Sequence, residues 1–265
     1  MESEGSLNVK LGDFTKLAKD YVNRVGYSET ALRVLKGYIE SVNGPMETIA
    51  DVGAGTGKLT QDLEHIGLRG YAVEPNDAMR AEGIRLFEGR SSFIWSKGLA
   101  EATNLPDHCV DWVLMGSSFH WTDAPAALEE FHRILRPGGF FTAIWNPRNI
   151  EGSALHMDIE RSIQQMVPNL KRVSSGSRAN MRDMEGKLLS TPFFEELFLL
   201  EAPHEAVMSP ERYMGAWRSV NDIHAQAGDE LFAQILTMIE EKIQGMDQIV
   251  VPYLSRAFTV RSTKR

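Results

Sequence analysis

The sequence has little cysteine and no long apolar run. Its 265 residues include one cysteine, Cys109, which has no second cysteine with which to form an intramolecular disulfide. No stretch reaches the roughly 18 apolar residues of a membrane span, and residues 1–10 have no apolar core of signal-peptide length. We therefore expect a cytoplasmic protein that folds without disulfides and without a membrane partner.

Basic residues are fewer than acidic ones. The chain has 28 Lys and Arg residues against 36 Asp and Glu residues, which gives a net charge of −8. The electrostatic field of such a charge repels phosphate backbones. We expect no nucleic-acid partner. No group of acidic, histidine or amide side chains has metal-ligand spacing, so we also expect no metal.

Strands and helices alternate from about residue 46 to 146. Five short runs have strand character and are separated by helical apolar spacing or loops: residues 48–52, 71–73, 93–95, 110–115 and 140–145. Such alternation predicts an α/β fold with a mostly parallel, doubly wound sheet.

The remaining chain divides around this core. Residues 1–45 carry two amphipathic helical patterns and predict an amino-terminal helical cap. Residues 147–192, with a serine-rich tip at residues 174–177, predict a helical lid inserted over the sheet. Residues 193–265 predict further strands and helices that complete the sheet and the acceptor pocket. We expect all four parts to form a single domain.

A glycine cluster follows the first strand of the core. Residues 51–57 read DVGAGTG, and ligands of doubly wound sheets bind beyond the carboxyl ends of the strands. Glycine permits positive φ and lets a ligand approach backbone N–H groups at the start of a helix. Glu74 ends the second strand, where its carboxylate can accept hydrogen bonds from both hydroxyls of an adenosine ribose.

Three interpretations of this cluster remain open on residue chemistry alone. A turn that only packs a strand against a helix does not explain three glycines at alternate positions. A nicotinamide site favours the spacing G-x-G-x-x-G, and Lys58 stands where the last glycine would be. The third interpretation is a site for another nucleoside.

Several ordered motifs together resemble one family. They are residues 49–57 (IADVGAGTG), 73–76 (VEPN), 98–101 (GLAE) and 135–139 (LRPGG). They resemble the class I S-adenosylmethionine-dependent methyltransferases, in particular the small-molecule group similar to trans-aconitate and ubiquinone/menaquinone methyltransferases. The spacing of Tyr21, Arg24 and Tyr27 is similar to the amino-terminal cap of that group. The resemblance implies a Rossmann-like seven-stranded sheet with its last strand antiparallel.

The resemblance also implies the contacts of the methyl donor, S-adenosylmethionine, which leaves as S-adenosylhomocysteine. The residues that it assigns to the methionine half are Asp51, Gly53, Ala54, Gly55 and Gly57. It assigns the ribose to Glu74 with the adjoining Pro75. The adenine is assigned to Asn76, Gly98, Leu99 and Ala100. Tyr21 and Arg24 would close over the methionine end, where an arginine suits a carboxylate. Core packing is an equal alternative for Tyr21.

The segment after the fourth strand would face the reacting methyl group. Gly116 and Ser117 would contact the donor there, and His120 is the candidate catalytic residue because its unperturbed pKa of about 6.5 suits a general base. The alternative is that His120 fixes the loop and Trp121 packs under it. We also expect Trp121 to contact the acceptor.

Further acceptor contacts are expected at the sheet edge and in the lid. Trp145, Asn146 and Arg148 end the fifth strand, and an arginine there suits a carboxylate or phosphate. Tyr213 and Trp217 belong to an apolar set that could wall the acceptor site. The alternative interpretations are a solvated arginine and ordinary core packing.

These observations predict methyl transfer from S-adenosylmethionine to a small-molecule acceptor, at oxygen first, with nitrogen and carbon acceptors open. Two alternatives are kept: an NAD-dependent oxidoreductase and a non-catalytic nucleoside-binding module. The motifs carry no signal for the oligomeric state.

Overall fold

The strands of the protein form one sheet. The computed structural model describes residues 21–172 and 183–264. The seven strands lie in the order β3-β2-β1-β4-β5-β7-β6. Their bounds are Ile49–Val52 (β1), Gly70–Val73 (β2), Phe93–Ser96 (β3), Val110–Gly116 (β4), Leu135–Trp145 (β5), Phe194–Met208 (β6) and Ile249–Ser262 (β7).

The pairing confirms the predicted fold class. Strands β1 to β5 pair in parallel, whereas β7 runs antiparallel to both β5 and β6. Val52 pairs with Val73, and Asp51 pairs with Leu114. The carboxyl ends of β1, β2 and β4 therefore lie side by side, at the edge where a doubly wound sheet binds its ligands.

Helices cover both faces of the sheet. They are Glu29–Asn43 (α1), Lys58–His65 (α2), Asp77–Leu86 (α3), Ala124–Ile134 (α4), Ala154–Met166 (α5), Met184–Leu188 (α6), Pro210–Arg218 (α7) and Asn221–Lys242 (α8), with a 3-10 turn at Phe119–Trp121. Side chains of Ser28, Asn76, Asp123 and Ser209 accept hydrogen bonds at helix starts. At the start of α4, for example, the Asp123 side chain accepts from the Ala126 N–H.

Two apolar clusters sandwich the sheet and a third lies outside it. Successive β4 residues alternate, so Val113 packs with α4 on one face while Leu114 packs with α1 and α2 on the other. The third cluster joins α5, α7 and α8 to the first half of β7. This cluster forms one wall at the ligand-binding edge.

Some boundaries differ from the expected ones. Strand β5 begins at Leu135 and not at residue 140 as expected, so the LRPGG motif belongs to the strand. Strand β6 continues to Met208, and α8 contains a non-helical residue, Gly228. The expected helix before residue 21 and the expected tip at 174–177 lie outside the described residues.

Among the residues that the structure describes, no helix is both long and apolar enough to cross a membrane.

Candidate functional site

Glycine is required in the loop between β1 and α2 by backbone geometry. Gly53, Gly55 and Gly57 have φ of 70°, 61° and 89°, a region that other residues adopt only with strain. A Cβ on Gly53 would lie 2.8 Å from Ser118 Oγ, and Ser118 follows β4. The Gly53 N–H donates to Val73 O at 2.8 Å, which ties the loop to the end of β2.

Glu74 is fixed against this loop. The backbone N–H groups of Gly55 and Asn76 donate to its two carboxylate oxygens at 2.7 and 2.8 Å. Burial raises the pKa of the Glu74 carboxyl, and these two hydrogen bonds oppose that rise. A carboxylate has about four lone-pair sites. Both oxygens of Glu74 therefore keep capacity for ligand hydroxyls.

Asp51 lies beneath the loop. Its Oδ2 accepts from Thr60 Oγ1 at 2.5 Å, while Oδ1 is buried and makes no hydrogen bond. Burial raises the pKa of Asp51 to about 7. Thr56 Oγ1 and Ser118 Oγ are buried and unpaired in the same region. Because buried polar atoms are usually hydrogen-bonded, this unused capacity fits a polar ligand on the loop.

The adenine contacts expected from the sequence lie at the next strand ends. Asn76 Oδ1 accepts from the N–H groups of Ala78 and Met79, so this atom caps α3. A Cβ on Gly98 would lie 2.6 Å from Thr103 O. Leu99 is 53% exposed, Ala100 is buried, and Pro75 is half-buried beside Glu74.

A cavity of about 590 Å³ adjoins this loop at the same edge of the sheet. Seven of the predicted donor and acceptor residues line it: Tyr21, Arg24, Ser117, Trp121, Trp145, Asn146 and Arg148. The predicted residues that do not line it are Asp51, Gly53, Ala54, Gly55, Gly57, Glu74, Pro75, Asn76, Gly98, Leu99, Ala100, Gly116, His120, Tyr213 and Trp217. Lys58 lines the cavity directly after the loop, so the two parts of the site are continuous in sequence.

Tyr27 lies between the cap and the end of β4. Its hydroxyl is 3.0 Å from Ser117 Oγ, and a Cβ on Gly116 would come within 2.6 Å of the same hydroxyl. Desolvation raises the pKa of Tyr27 well above its ordinary value, so the phenol stays protonated. Tyr27 was not among the predicted site residues, although its spacing from Tyr21 and Arg24 was the available signal.

His120 lies outside the 590 Å³ cavity. Its Nδ1 accepts from Trp145 Nε1 at 3.3 Å, and it lines a second cavity of about 530 Å³ beside α6. Burial, and then the charge of Lys187, lower the pKa of His120 to about 4, so the imidazole is neutral at pH 7. This geometry favours the loop-fixing alternative, and the catalytic role stays a prediction.

Asn146 is held by the protein on both ends of its amide. Its Nδ2 donates to Gly26 O at 2.7 Å, and its Oδ1 accepts from Ser255 Oγ at 2.9 Å with His204 Nε2 at 2.8 Å. Asn146 therefore ties the segment before α1 to β6 and β7 while lining the cavity. Its Oδ1 and one of its two Nδ2 hydrogens are already used, which leaves a single N–H for the predicted acceptor contact.

Arg148 rests on the two aromatic residues predicted as acceptor walls. Its Cζ lies 3.8 Å from the ring centroid of Trp217 and 5.9 Å from that of Tyr213. Both rings are 1% exposed and belong to the third apolar cluster. They do not line the cavity but lie against Arg148 and support it, so their direct contact with an acceptor stays a prediction.

Two anchors hold the amino-terminal cap at the cavity. Arg24 donates from Nε and Nη2 to Ser219 Oγ and O at 2.9 and 2.7 Å, and its Cζ lies 4.2 Å from the Tyr21 ring centroid. The Tyr27 N–H donates to Asp62 Oδ2 at 2.7 Å. Tyr21 and Arg24 therefore meet at the cavity wall, and their contact with the methionine end of the donor stays a prediction.

Within residues 21–172 and 183–264, no group of three or more His, Cys, Asp or Glu side chains is placed to hold a metal ion.

Comparison with known proteins bears on this geometry directly. Residues 50–143, which include the glycine loop, Glu74 and the end of β4, match the family described as methyltransferase domain. The match covers 94 of the 265 residues, so it shows similarity to a methyltransferase domain over that part of the chain. The methyltransferase domain thus covers β1 to β5, and the third apolar cluster lies outside the matched residues.

The relatives differ in sequence identity and in how much of this chain they cover. An uncharacterized methyltransferase of Mycobacterium tuberculosis is 39% identical over 105 residues, or 38% of this chain and 40% of that protein. An uncharacterized methyltransferase of Schizosaccharomyces pombe is 27% identical over 229 residues, 80% of this chain and 82% of the relative. The chain therefore spans well under half of the mycobacterial relative.

Among solved structures, a protein described as a type II methyltransferase from Anaeromyxobacter dehalogenans superposes with a TM-score of 0.61 at 20% identity. The superposition covers 91% of this chain and 97% of that one. At this identity the match concerns the fold alone, including the region of the third cluster.

The family's methyl donor fits the residues present. The donor offers ribose hydroxyls for the carboxylate of Glu74 and polar groups for the unpaired atoms around Gly53. The three glycines have no side chains to occupy space at the loop, and they adopt positive φ without strain. The described site is therefore compatible with S-adenosylmethionine.

Proposed function

We propose that the chain transfers a methyl group from S-adenosylmethionine to an oxygen atom of a small-molecule acceptor. The observation that carries this proposal is the continuity of the glycine loop with the 590 Å³ cavity. Lys58 follows Gly57 and lines the cavity, and Ser117 lines it next to Ser118, which approaches Gly53. A donor bound on the loop would thus present its methyl group to the cavity.

The donor-binding roles follow from position in the fold. The N–H groups of the loop and the region above Asp51 would hold the methionine half. Glu74 would hold the ribose hydroxyls, while Gly98, Leu99 and Ala100 would contact the adenine. Tyr21 and Arg24 would lie at the carboxylate end, which is consistent with their place on the cavity wall.

When bound, the donor supplies an electrophilic methyl carbon on a positively charged sulfur. A lone pair of the acceptor oxygen forms the new bond to carbon as the carbon–sulfur bond breaks, and that electron pair stays on sulfur. Neither an oxidant nor a reductant is required. The contribution of the protein is alignment of the two reactants and exclusion of water.

The cavity wall favours an oxygen acceptor that is already ionised. No histidine lines the cavity in the described part of the chain, and the high pKa of Tyr27 makes its phenol a donor and not a base at neutral pH. An ionised oxygen needs no base before it attacks. Nitrogen and carbon acceptors would need a deprotonation step when they arrive protonated.

The test compares donor binding with methyl incorporation. S-adenosylhomocysteine should bind in a calorimetric titration while NAD does not, and Glu74→Gln should weaken binding at least tenfold, about 1.4 kcal/mol. Glu88→Gln is the matched control, because Glu88 is exposed on the loop after α3. Binding of NAD in preference to S-adenosylhomocysteine would instead support the oxidoreductase alternative.

A labelled-donor screen against pools of hydroxy, carboxylic and amino metabolites then tests catalysis. We expect a mass shift of one methyl group in at least one oxygen acceptor. Donor binding without incorporation into any pool would support the non-catalytic module and contradict the proposed activity.

A further inference from the structure

The 590 Å³ cavity carries positive charge inside an acidic protein. Among its lining residues, five side chains are cationic and two are acidic, although the whole chain has a net charge of −8. The cations are Arg24, Lys58, Arg148, Arg172 and Arg256, and the acids are Glu151 and Glu160. Positive charge, the less abundant sign in this protein, is therefore concentrated at this cavity.

Two of the five cations are neutralised by the protein. Arg172 pairs with Glu160 at 2.9 Å and with the buried carboxylate of Asp222 at 3.3 Å. Arg256 pairs with Glu201. Of the two acids at the cavity, Glu160 is therefore already paired. The second acid, Glu151, is exposed.

Three cations have no acid within ion-pair distance among the described residues: Arg24, Lys58 and Arg148. Arg24 is hydrogen-bonded to Ser219, a neutral residue. Lys58 is half-buried, and its pKa is lowered first by burial and then by Arg212. The cavity thus holds more positive charge than its own acids can balance.

Arg148 is the one of the three that rests on aromatic rings of the third apolar cluster. It follows β5, and its guanidinium makes no hydrogen bond or ion pair with another described residue, so its five N–H donors remain for a ligand. Trp217 at 3.8 Å supports the guanidinium by a cation–π contact. Behind it, Tyr213 Oη, Trp217 Nε1 and His156 Nε2 are buried and unpaired, and none of them supplies negative charge.

The donor cannot balance this charge. S-adenosylmethionine carries a sulfonium, an ammonium and a carboxylate at neutral pH, so its binding adds a net positive charge. Its single carboxylate can neutralise one cation, and Lys58 lies directly after the loop, on the side where the methionine half is proposed to bind. A negatively charged acceptor would supply the partner that Arg148 lacks among the described residues.

We propose that Arg148 binds a carboxylate of the acceptor and selects small carboxylic acids as the substrate class. The planar guanidinium matches a carboxylate with two parallel hydrogen bonds. Trp121, Trp145 and Tyr253 line the same cavity and provide apolar surface for the rest of such a molecule. This inference rests on the proposed function, since it identifies the acceptor of that same site.

The test is a binding titration of the full chain saturated with S-adenosylhomocysteine. The probes are benzoate and succinate, their neutral amides benzamide and succinamide, and inorganic phosphate. We expect at least one carboxylate to bind tenfold more tightly than its amide and more tightly than phosphate. Arg148→Gln should abolish that preference, whereas Arg148→Lys should retain part of it.

Arg90→Gln is the matched control, because Arg90 also lies over an aromatic ring, Phe87 at 5.1 Å, but far from the cavity in the fold. It should leave carboxylate binding unchanged, and Arg148→Gln should leave S-adenosylhomocysteine binding within twofold. Equal binding of acids and amides overturns the proposal, as does tighter binding of phosphate or an unchanged preference in Arg148→Gln.

A kinetic readout separates this inference from the proposed function. With an acceptor found by the labelled-donor screen, Arg148→Gln should raise KM for the acceptor at least tenfold and leave KM for the donor unchanged. Methyl incorporation into neutral acceptors only would overturn the carboxylate assignment while the methyltransferase activity stands. Carboxylate binding without any methyl incorporation would contradict the methyltransferase activity while the carboxylate assignment stands.

Discussion

Asp51 is a carboxylic acid in a fully buried position at the end of β1. Burial raises its pKa to about 7 in the folded protein, with the charge of Glu74 as a further cause. The folded state therefore holds this proton between pH 4 and 7, where the unfolded chain has already released it. Stability from this group is present at low pH and is lost as the pH rises towards 7.

Asp51→Asn should remove that pH dependence while keeping an acceptor for Thr60 Oγ1. Between pH 5 and 8, the free energy of unfolding of the wild type should fall relative to Asp51→Asn by about 2–3 kcal/mol, because each pKa unit corresponds to about 1.4 kcal/mol. Urea unfolding at the two pH values measures this difference. Asp247→Asn, at an exposed position, is the control, and wild-type and Asp51→Asn curves that run parallel would contradict the assignment.

Variants of His120 can distinguish a structural role of this histidine from a catalytic one. With a pKa of about 4 it is neutral above pH 6, and its Nδ1 accepts the Trp145 N–H. His120→Ala should cost about 1–2 kcal/mol of stability by leaving that buried N–H without a partner, and His120→Asn should recover part of the loss. Chemical unfolding of the two variants measures this.

Turnover of the same variants provides the second readout. The structural role predicts that both keep kcat within about threefold and that the rate is level from pH 6 to 8. A general base would instead account for a loss of about 10²–10⁴-fold in both variants.

At the scale of elements, α8 is two helices joined at Gly228. This residue has φ 75° and ψ 169°, a conformation essentially restricted to glycine. Ile223 before the kink and Ile235 after it both pack in the third apolar cluster. The kink therefore lets both halves of α8 bury their apolar faces against α5 and α7.

Gly228→Ala should lower the free energy of unfolding by about 1–3 kcal/mol, because no atom lies within 4 Å of the added Cβ and the backbone strain alone acts. Gly37→Ala is a matched control inside α1, where the added Cβ also meets nothing within 4 Å. There alanine should stabilise the helix by about 0.5–1 kcal/mol. Denaturant unfolding of both variants gives the comparison, and a stabilising Gly228→Ala would show that the packing does not enforce the kink.

For the whole molecule, donor binding should be visible as added stability. S-adenosylhomocysteine at 100 times its Kd should stabilise the folded state by about 2.7 kcal/mol and raise Tm by about 5–10 °C for a chain of this size. NAD at the same concentration should leave Tm unchanged. Thermal unfolding measures both, and Glu74→Gln should shrink the shift. An equal shift with NAD would contradict donor selectivity.

The sheet core was predictable because its signals are local. Apolar runs, the glycine turn at Gly53 and the strand-end acid Glu74 each depend on a few neighbouring residues. The start of β5 was placed too late, because Leu135 already pairs with Val110 of β4, and a register shift across Pro137 and two glycines precedes the pairing of Phe140 with Trp112. Long-range pairing overrides turn chemistry there.

The functional site was predictable only in part. The sequence predicted the proximity of Glu74 to the glycine loop and the place of Arg148 at the sheet edge, whereas their contacts with ligands stay predictions. Lys58 was noticed only as a departure from the nicotinamide spacing. Tyr213 and Trp217 were expected to touch the acceptor, whereas their burial behind Arg148 depends on how α7 packs against the rest of the third cluster.

The sequence by itself determined the α/β fold, the glycine loop and the strand-end acid beside it, since periodicity, glycine turns and strand ends are properties of short segments. Only the tertiary structure decided which charges at the cavity are balanced. Arg172 and Arg256 meet acids 50 and 55 residues away along the chain, whereas Arg148 meets Trp217 and no acid. Charge compensation is a matter of distance in space, and no local pattern encodes it.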